Sequence, residues 1–519
     1  MKTITEQDLI DAGWDPGPHI AEMLVKIDEY ETRGIHDAKY MLKLLKRDFT
    51  PPPAKMLMRE KAAPFSEAIR PETKDEKKNV ASVRQKMDEL LKTPVIKRGA
   101  IMPDACPASM DKAVIPVGGA IAVENAIIPS AHSADVCCSM YATFYLARSD
   151  VDSELDALTT ATRFGPGGRH FDDLVHHPVL DEDVWDNKFL SGLYDWAKIH
   201  IADQGDGNHF AYIGELEVTH SLIGKLLQSG HTGLAAQFER ALTDSENHQA
   251  LTLRVLVTHH GSRGLGAKLY QRGQIAAVKH SARAGNHIPK AAAWLDATSE
   301  IGQEYWEALQ YVGRWTRANH QAIHARFIER IGGEVTAQFG NEHNFVWKRG
   351  DTYYHGKGAT PAWKDENGNP LLGLIPLNMA EPILMVLGSD NDEYLSFAPH
   401  GAGRNVSRTA LKRQFADEAD RQNAIRHSTK DIDVRWYCGK ADLSETPIAY
   451  KNADQVTAQI EEFKLAEIIG KIQPLGCIMA GAKQRGPWKE EDLTPKQKRQ
   501  IQHRAERRRV RQELYQEEG

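Results

Sequence analysis

The chain has 519 residues, 41% of them hydrophobic and 26% charged, with a formal net charge of −6. That is the composition of an ordinary globular enzyme with enough apolar residues for a sizeable core, and the length suggests two to four units or one large domain with appendages. No apolar run is long enough to span a membrane, the acidic, amphipathic N-terminus lacks the apolar stretch of a signal peptide, and five cysteines, two of them adjacent, do not form a secreted disulfide framework; a reducing cytoplasm is expected.

Residues 1–95 read as a helical arm. Leu9, Ile10, Ile20, Met23, Leu24 and Ile27 recur at helical spacing around a turn from Gly13 to Pro18, Pro51 to Pro53 make a stiff break, and Val80 to Leu91 carries a second helical stripe. This arm is expected to pack on the main body rather than to carry chemistry. From 96 to 482 the character changes. Short β-branched runs (Ala113 to Val123, Leu253 to Val257, Ile383 to Leu387) lead into glycine- and histidine-rich loops, and helical patterns intervene at Gln303 to Ile331 and Val456 to Ile472. Strands and helices do not alternate at a regular βαβ spacing, so the fold class is α+β. Trp363 to Pro370 reads as a turn or loop. The tail, 483–519, holds eleven Lys/Arg before Gln512 against four acids, and reads as a charged helix, either merely solvated or touching nucleic-acid phosphates.

Histidine is the compositional outlier at 22 residues, and histidines contribute little to a core, so the count points to a site. Five loops combine glycine or asparagine with a metal-ligand residue: His132 to Met140, Gly205 to Phe210, His259 to Gly266, Asn341 to Phe345, and His400 to Arg404. Each alone is weak. Together they supply an Asp, a Cys and three His, enough donors for two divalent ions sharing a thiolate. Gly261 to Gly266 and Gly401 to Arg404 add free backbone N–H groups and guanidinium forks suited to phosphate. Metal ligands, phosphate cradles and a spare histidine together indicate phosphoryl or nucleotidyl transfer.

The blocks Met102-Pro103-Asp104-Ala105, Pro116 to Gly119, Asp135 to Cys138, Gly207 to Phe210, His259 to Gly266, His343-Asn344, Lys357 to Thr360, His400 to Arg404 and Glu445 to Lys451 resemble, in order and spacing from Ile96 to Gly481, the RtcB family of RNA ligases. The resemblance implies an RtcB-like catalytic fold of central β-sheets flanked by helices. It also implies a GTP- and Mn²⁺-dependent ligase joining an RNA 3′-phosphate or 2′,3′-cyclic phosphate to a 5′-hydroxyl, in RNA repair or tRNA processing, with an archease-like activator as a further partner. Carried over by motif, His400 would be guanylylated. Asp135, Cys138, His209, His259 and His343 would bind two Mn²⁺, with Cys138 bridging, and Cys137 and His260 would be neighbouring non-ligands. Asn208 and Asn344 would contact nucleotide phosphates; Arg263 and Arg404 are candidates for triphosphate or RNA phosphate. Gly401, Ala402, Gly403, Asn378, Met379 and Tyr450 fall at further nucleotide positions. Ligand softness by itself would favour Zn²⁺.

The chain departs from the family where the guanine base would be read. Tyr212 stands where a glutamate is usual, Leu377-Asn378-Met379-Ala380 replaces Gly-Ser-Met-Gly, Ile383 replaces a serine, Met479 replaces a lysine, and Cys106 replaces a histidine. Lys483 could substitute for the lysine through a local bulge. These changes imply an intact reactive half with weakened or altered guanine selectivity, so ATP is not excluded. The competing readings are a metal-dependent phosphatase or cyclic phosphodiesterase, needing the metal loops but not His400, and a non-catalytic RNA-binding relative.

Overall fold

The sequence Ala250–His260 alternates β-branched and leucine side chains over much of its length, and it forms a strand near the middle of the larger of the two main sheets. The structure, a computed structural model, describes residues 3–14, 17–49, 56–107, 111, 113–165 and 167–482; the basic tail and Lys483 lie outside them. In the larger sheet the order is Val335–Glu342, Ser139–Tyr145, Ala250–His260, Phe210–Thr219, Ala466–Met479, Ile383–Gly388 and Leu372–Pro376, all antiparallel, with Asp433–Trp436 added in parallel beside Ala466–Met479.

Both faces of this sheet are covered, which explains its nearly unbroken apolar strands. Successive side chains point to opposite faces. Tyr145, Ala211, Ile213, Leu256 and Ile478 join one apolar cluster with Leu155, Leu158, Val312 and Trp315 of the helices Val151–Ala161 and Glu300–Ile331. Phe144, Tyr212, Val255, Val257 and Cys477 join another with Leu222, Leu226 and Phe238 of His220–Gln228 and Thr232–Thr243. The long helix is bounded as its sequence suggests. Ser299 accepts from the Gly302 N–H at its start, and Gly332 ends it in the left-handed conformation.

The second sheet orders Val346–Arg349, Thr352–Lys357, Val117–Glu124, Ile96–Cys106 and Phe65–Glu67. Ile96, Ile101, Ile121 and Val123 face the helix Lys74–Leu91, whose Thr73 and Glu76 form a reciprocal N-terminal cap. Ala100, Met102, Ala120 and Ala122 face the opposite cluster. Residues 65–91 are thus built into this sheet, whereas the helices Glu6–Asp11, Pro18–Thr32 and Ala38–Asp48 bury Leu9, Met23, Ile27, Met41 and Leu45 in a cluster of their own.

The architecture is α+β, with neighbouring strands almost all antiparallel. Two element assignments differ from expectation. Val456 to Ile472 divides: the helix Ala453–Glu462 stops, Lys464 takes a φ of 50°, and Ala466–Met479 becomes a strand. Its apolar residues read equally well as a helical stripe, and the vacancy between two long strands decides the matter. In Ala113 to Val123 the strand begins only at Val117, since Pro116 has no N–H to give a ladder. No helix among the described residues is long and apolar enough to cross a membrane.

Candidate active site

Register brings the histidines together. Met140 and Phe210 both lie opposite His259, Asn341 lies opposite Met140, and Met479 lies opposite Phe210, so the loops carrying Asp135, Cys138, His209 and His343 all emerge at one end of the larger sheet. There the donors form two groups that share one atom: Cys138 with His259 and His343, and Cys138 with Asp135 and His209. The Cys138 Sγ is 3.2 Å from His259 Nε2 and 3.5 Å from His209 Nε2. His259 Nε2 lies 3.1 Å from His343 Nε2, and His209 Nε2 lies 2.9 Å from Asp135 Oδ2.

The chemistry of this donor set suits cations. Burial holds His259 down to about 3 and His343 well below its ordinary value, so both imidazoles are neutral. His259 Nδ1 faces the Asn208 carbonyl at 3.2 Å, and donating there leaves the Nε2 lone pair directed at the cluster. Burial also pushes the Cys138 thiol up, and the Asp135 carboxylate adds to it. Asp135 itself stays low, because His209 beside it outweighs the cost of burial. A cation between these groups would reverse the balance at sulfur and favour the thiolate. Arg263, at a φ of 54°, sets its guanidinium 3.4 Å from His209 Nδ1 and fills the space beside Gly205, where a Cβ would fall 2.0 Å from it.

His400 stands next to this cluster, its ring 4.9 Å from that of His343. Its Nδ1 is 2.5 Å from Oδ2 of Asp104, a fully buried carboxylate at the end of Ile96–Cys106. A proton held on Nδ1 by that carboxylate leaves Nε2 as the free nucleophilic nitrogen. The approach of the two segments depends on glycine: Gly403 has a φ of 72°, and a Cβ there would lie 2.0 Å from the Asp104 carbonyl oxygen. Lys451, buried, ties the same strand end by donating to the Pro103 and Ala105 carbonyls at 2.7 and 2.8 Å.

A cavity of about 380 Å³ opens over His400. Of the residues singled out from sequence, Asp135, Asn208, His259, Asn344, Asn378, Met379, Gly401, Ala402, Gly403, Arg404, Tyr450 and Met479 line it, as does Cys106. His209 and Arg263 line a larger adjoining cavity, about 730 Å³, which shares Asp135, Asn208, Arg408 and Glu445 with the first. Asn344, at a φ of 54°, uses its Oδ1 to accept from the Gly358 N–H, which joins the His343 loop to the wall beside His400. Tyr212 and Ile383 do not line the cavity. Both are in the apolar cluster behind it, where the Tyr212 hydroxyl donates to the Ile472 carbonyl at 3.0 Å. Tyr450 does line it, yet the Arg404 guanidinium covers its ring at 4.7 Å and its hydroxyl donates to Glu445.

Sequence reasoning gave no role to Asp104, Lys357, Arg408 or Glu445. Glu445 is buried and clamps both Arg404 and Arg408. Lys357 lines the cavity, and burial lowers its ammonium to about 8. All but Arg408 sit inside the matched blocks, so the signal was present; what was absent was the contact that gives each its partner. Conversely, several of the described histidines belong to the core. His260 stacks on His320, whose Nδ1 lies 2.6 Å from Thr258 Oγ1, and His324, His132 and His355 bond to Thr143, Tyr305 and the Ile128 N–H.

The fold and this site define a class, confirmed by comparison with known proteins. A family model described as "tRNA-splicing ligase RtcB" matches residues 186–480, more than half of the chain. The chain belongs to the RtcB family. It is similar to "RNA-splicing ligase RtcB2" of Escherichia coli, 26% identical over 410 residues, which covers 78% of this chain and 93% of that protein. It is also similar to "RNA-splicing ligase RtcB" of Escherichia coli K12, 25% identical over 428 residues, covering 77% and 94%. With "tRNA-splicing ligase RtcB" of Pyrococcus abyssi it shares 26% identity over 315 residues, covering 53% and 31%.

Proposed function

We propose that this protein is an RNA ligase that joins a 3′-phosphate or 2′,3′-cyclic phosphate end to a 5′-hydroxyl end through a nucleotidylated His400. The observation that carries this reading is the placing of one carboxylate-oriented histidine against two donor groups that share Cys138. Family membership supports RNA as substrate, and a metal-dependent phosphatase would need the donor groups but does not require the Asp104–His400 pair.

In the proposed sequence, His400 Nε2 attacks the α-phosphorus of a nucleoside triphosphate. A P–N bond forms and pyrophosphate leaves. An oxygen of the RNA 3′-phosphate then takes the nucleotidyl group, forming an anhydride and releasing the histidine. The 5′-hydroxyl attacks the 3′-phosphorus, a phosphodiester forms and the nucleoside monophosphate leaves; a cyclic phosphate is first opened by water. Asp104 keeps the proton on Nδ1 during the first step and stabilises the positive charge that develops on the ring. Lys357 and Arg404 face the phosphates, with Glu445 and Tyr450 fixing the guanidinium plane.

Asp135, Cys138, His209, His259 and His343 would hold two divalent ions, Mn²⁺ by family resemblance and Zn²⁺ as the ion their softness also suits. Bound there, such ions neutralise phosphate charge. GTP is the nucleotide the family implies. A cytoplasmic enzyme serving RNA repair or tRNA processing, helped by an archease-like activator and by the basic tail, completes the reading. The test is ligation of a 3′-phosphate strand to a 5′-hydroxyl strand. Joining that needs Mn²⁺, stops on chelation and vanishes in His400→Ala supports it. Joining that survives His400→Ala overturns it.

A further inference from the structure

The lining of the cavity over His400 is of two kinds. Asp135, Asn208, His259, Asn344, Lys357, Arg404, Arg408 and Glu445 are polar or charged. The cations and amides among them suit phosphates. Phe210, Leu377, Met379 and Met479 are apolar, with Asn378 as the polar group among them in sequence. Pro376, which leads into Leu377, runs so close to the His400 segment that a Cβ on Gly401 would lie 2.9 Å from the Pro376 carbonyl oxygen.

These apolar side chains suit the face of a flat ring, and they form a slot beside the metal-ligand cluster. Phe210 and Met479 are cross-strand partners, and the Phe210 ring lies 5.2 Å from that of His259, so one edge of the slot adjoins the metal-ligand cluster. Met379 and Met479 are almost completely buried and continue into the cluster of Tyr212, Ile383 and Cys477 behind. Tyr212 has already spent its hydroxyl on the Ile472 carbonyl. Glu381, the carboxylate two residues beyond Met379, does not line the cavity.

We propose that this slot holds the base of the nucleotide used by His400, and that it admits adenine as readily as guanine. The inference rests on the nucleotidyl-transfer reading above. Guanine differs from adenine at the Watson–Crick edge by offering N1–H and an exocyclic amine, which a carboxylate reads and a thioether does not. Asn378 does not discriminate between them. Its Oδ1 accepts from the Ala380 N–H and keeps a second lone pair while its NH₂ donates, so the amide meets either purine edge: O6 and N1–H of guanine, or N1 and the exocyclic amine of adenine. Flat contact with Phe210 and two polarizable thioethers is likewise indifferent to the pattern of the edge. Sites that hydrogen-bond a distinguishing group reject its analogue by ~10⁴-fold or more, whereas apolar pockets discriminate by ~10–200-fold.

The test is equilibrium binding to the Mn²⁺-loaded His400→Ala protein, which cannot form the covalent adduct, titrated with GTP and with ATP. Dissociation constants within about tenfold of each other are expected, with Phe210→Ala weakening both alike and Met479→Glu shifting the ratio towards GTP by about tenfold or more. Circular dichroism on each variant establishes that it is folded. A preference for GTP of a hundredfold or more overturns the proposal while leaving the ligase reading in place. Binding of neither nucleotide by folded, metal-loaded protein overturns both.

Discussion

In the proposed reaction His400 is prepared for attack by a single buried contact, and the energetics of that contact decide how the site would behave. Asp104 is fully buried, and its other oxygen, Oδ1, has no hydrogen-bond partner among the described residues. A buried carboxylate with an unsatisfied oxygen is costly unless the charge it faces repays it, and in the proposed reaction the imidazole beside it would become positive as its Nε2 bonds to phosphorus. Asp104→Asn keeps the shape and removes the charge. It is expected to slow nucleotide transfer to His400 by on the order of 10²–10⁴-fold, with metal content unchanged. An unaltered rate in quenched-flow labelling would show that the carboxylate is merely structural. At this scale the sequence was most legible for the clustered donors, because Asp135, Cys138, His209, His259 and His343 are chemically conspicuous and the fold brings them together. It was least legible for Asp104 and Glu445, common residue types whose importance lies in partners roughly 300 and 40 positions away along the chain.

Elements bring those partners together, and glycine positions show where the fit is tight. Gly403 and Gly332 share the left-handed conformation, with φ of 72° and 57°, but only Gly403 faces another chain segment at close range. Gly332 caps the helix Glu300–Ile331 with nothing within 4 Å of its Cβ position. Gly332→Ala is therefore expected to cost about 1 kcal/mol, through φ strain alone. Gly403→Ala must push the Asp104 strand away from His400, and should abolish nucleotide labelling even where the protein stays folded. Equal Tm losses and equal labelling in the two variants would contradict this. The same scale explains the misread segment Val456 to Ile472. An apolar run of that length fits either period, and the sheet has a place between Phe210–Thr219 and Ile383–Gly388 that only a strand can fill. Tyr212 illustrates the reverse problem: it shares a sheet face with Phe210, which lines the cavity, but lies two residues further along the strand, in the apolar cluster with its hydroxyl on the Ile472 carbonyl.

Over the whole molecule, the high histidine content serves two purposes, and sequence reasoning anticipated one. The candidate site gathers some of the 22 histidines, but others are neutral core groups bonded to hydroxyls and backbone. Burial holds His132 down to about 4 and His324 and His355 to about 3. Unfolding returns each to its ordinary value near 6.5, so below that pH the unfolded chain binds protons that the native chain refuses. The stability contributed by neutral burial is intact above pH 6.5 and is lost as pH falls towards 4. For these three residues the loss between pH 7.5 and pH 5.5 amounts to about 4 kcal/mol. Urea midpoints should fall steeply over that interval, and a flat profile would mean the three imidazoles are protonated or solvated in the native state.

The central claim is that His400 becomes covalently nucleotidylated, and direct labelling tests it. The Mn²⁺-loaded protein is incubated with α-labelled GTP or ATP, and acid-labile label is sought on the protein beside His400→Ala. The account predicts stable label from both nucleotides that disappears in His400→Ala and under chelation. Folded, metal-loaded protein that takes label from neither nucleotide would contradict it.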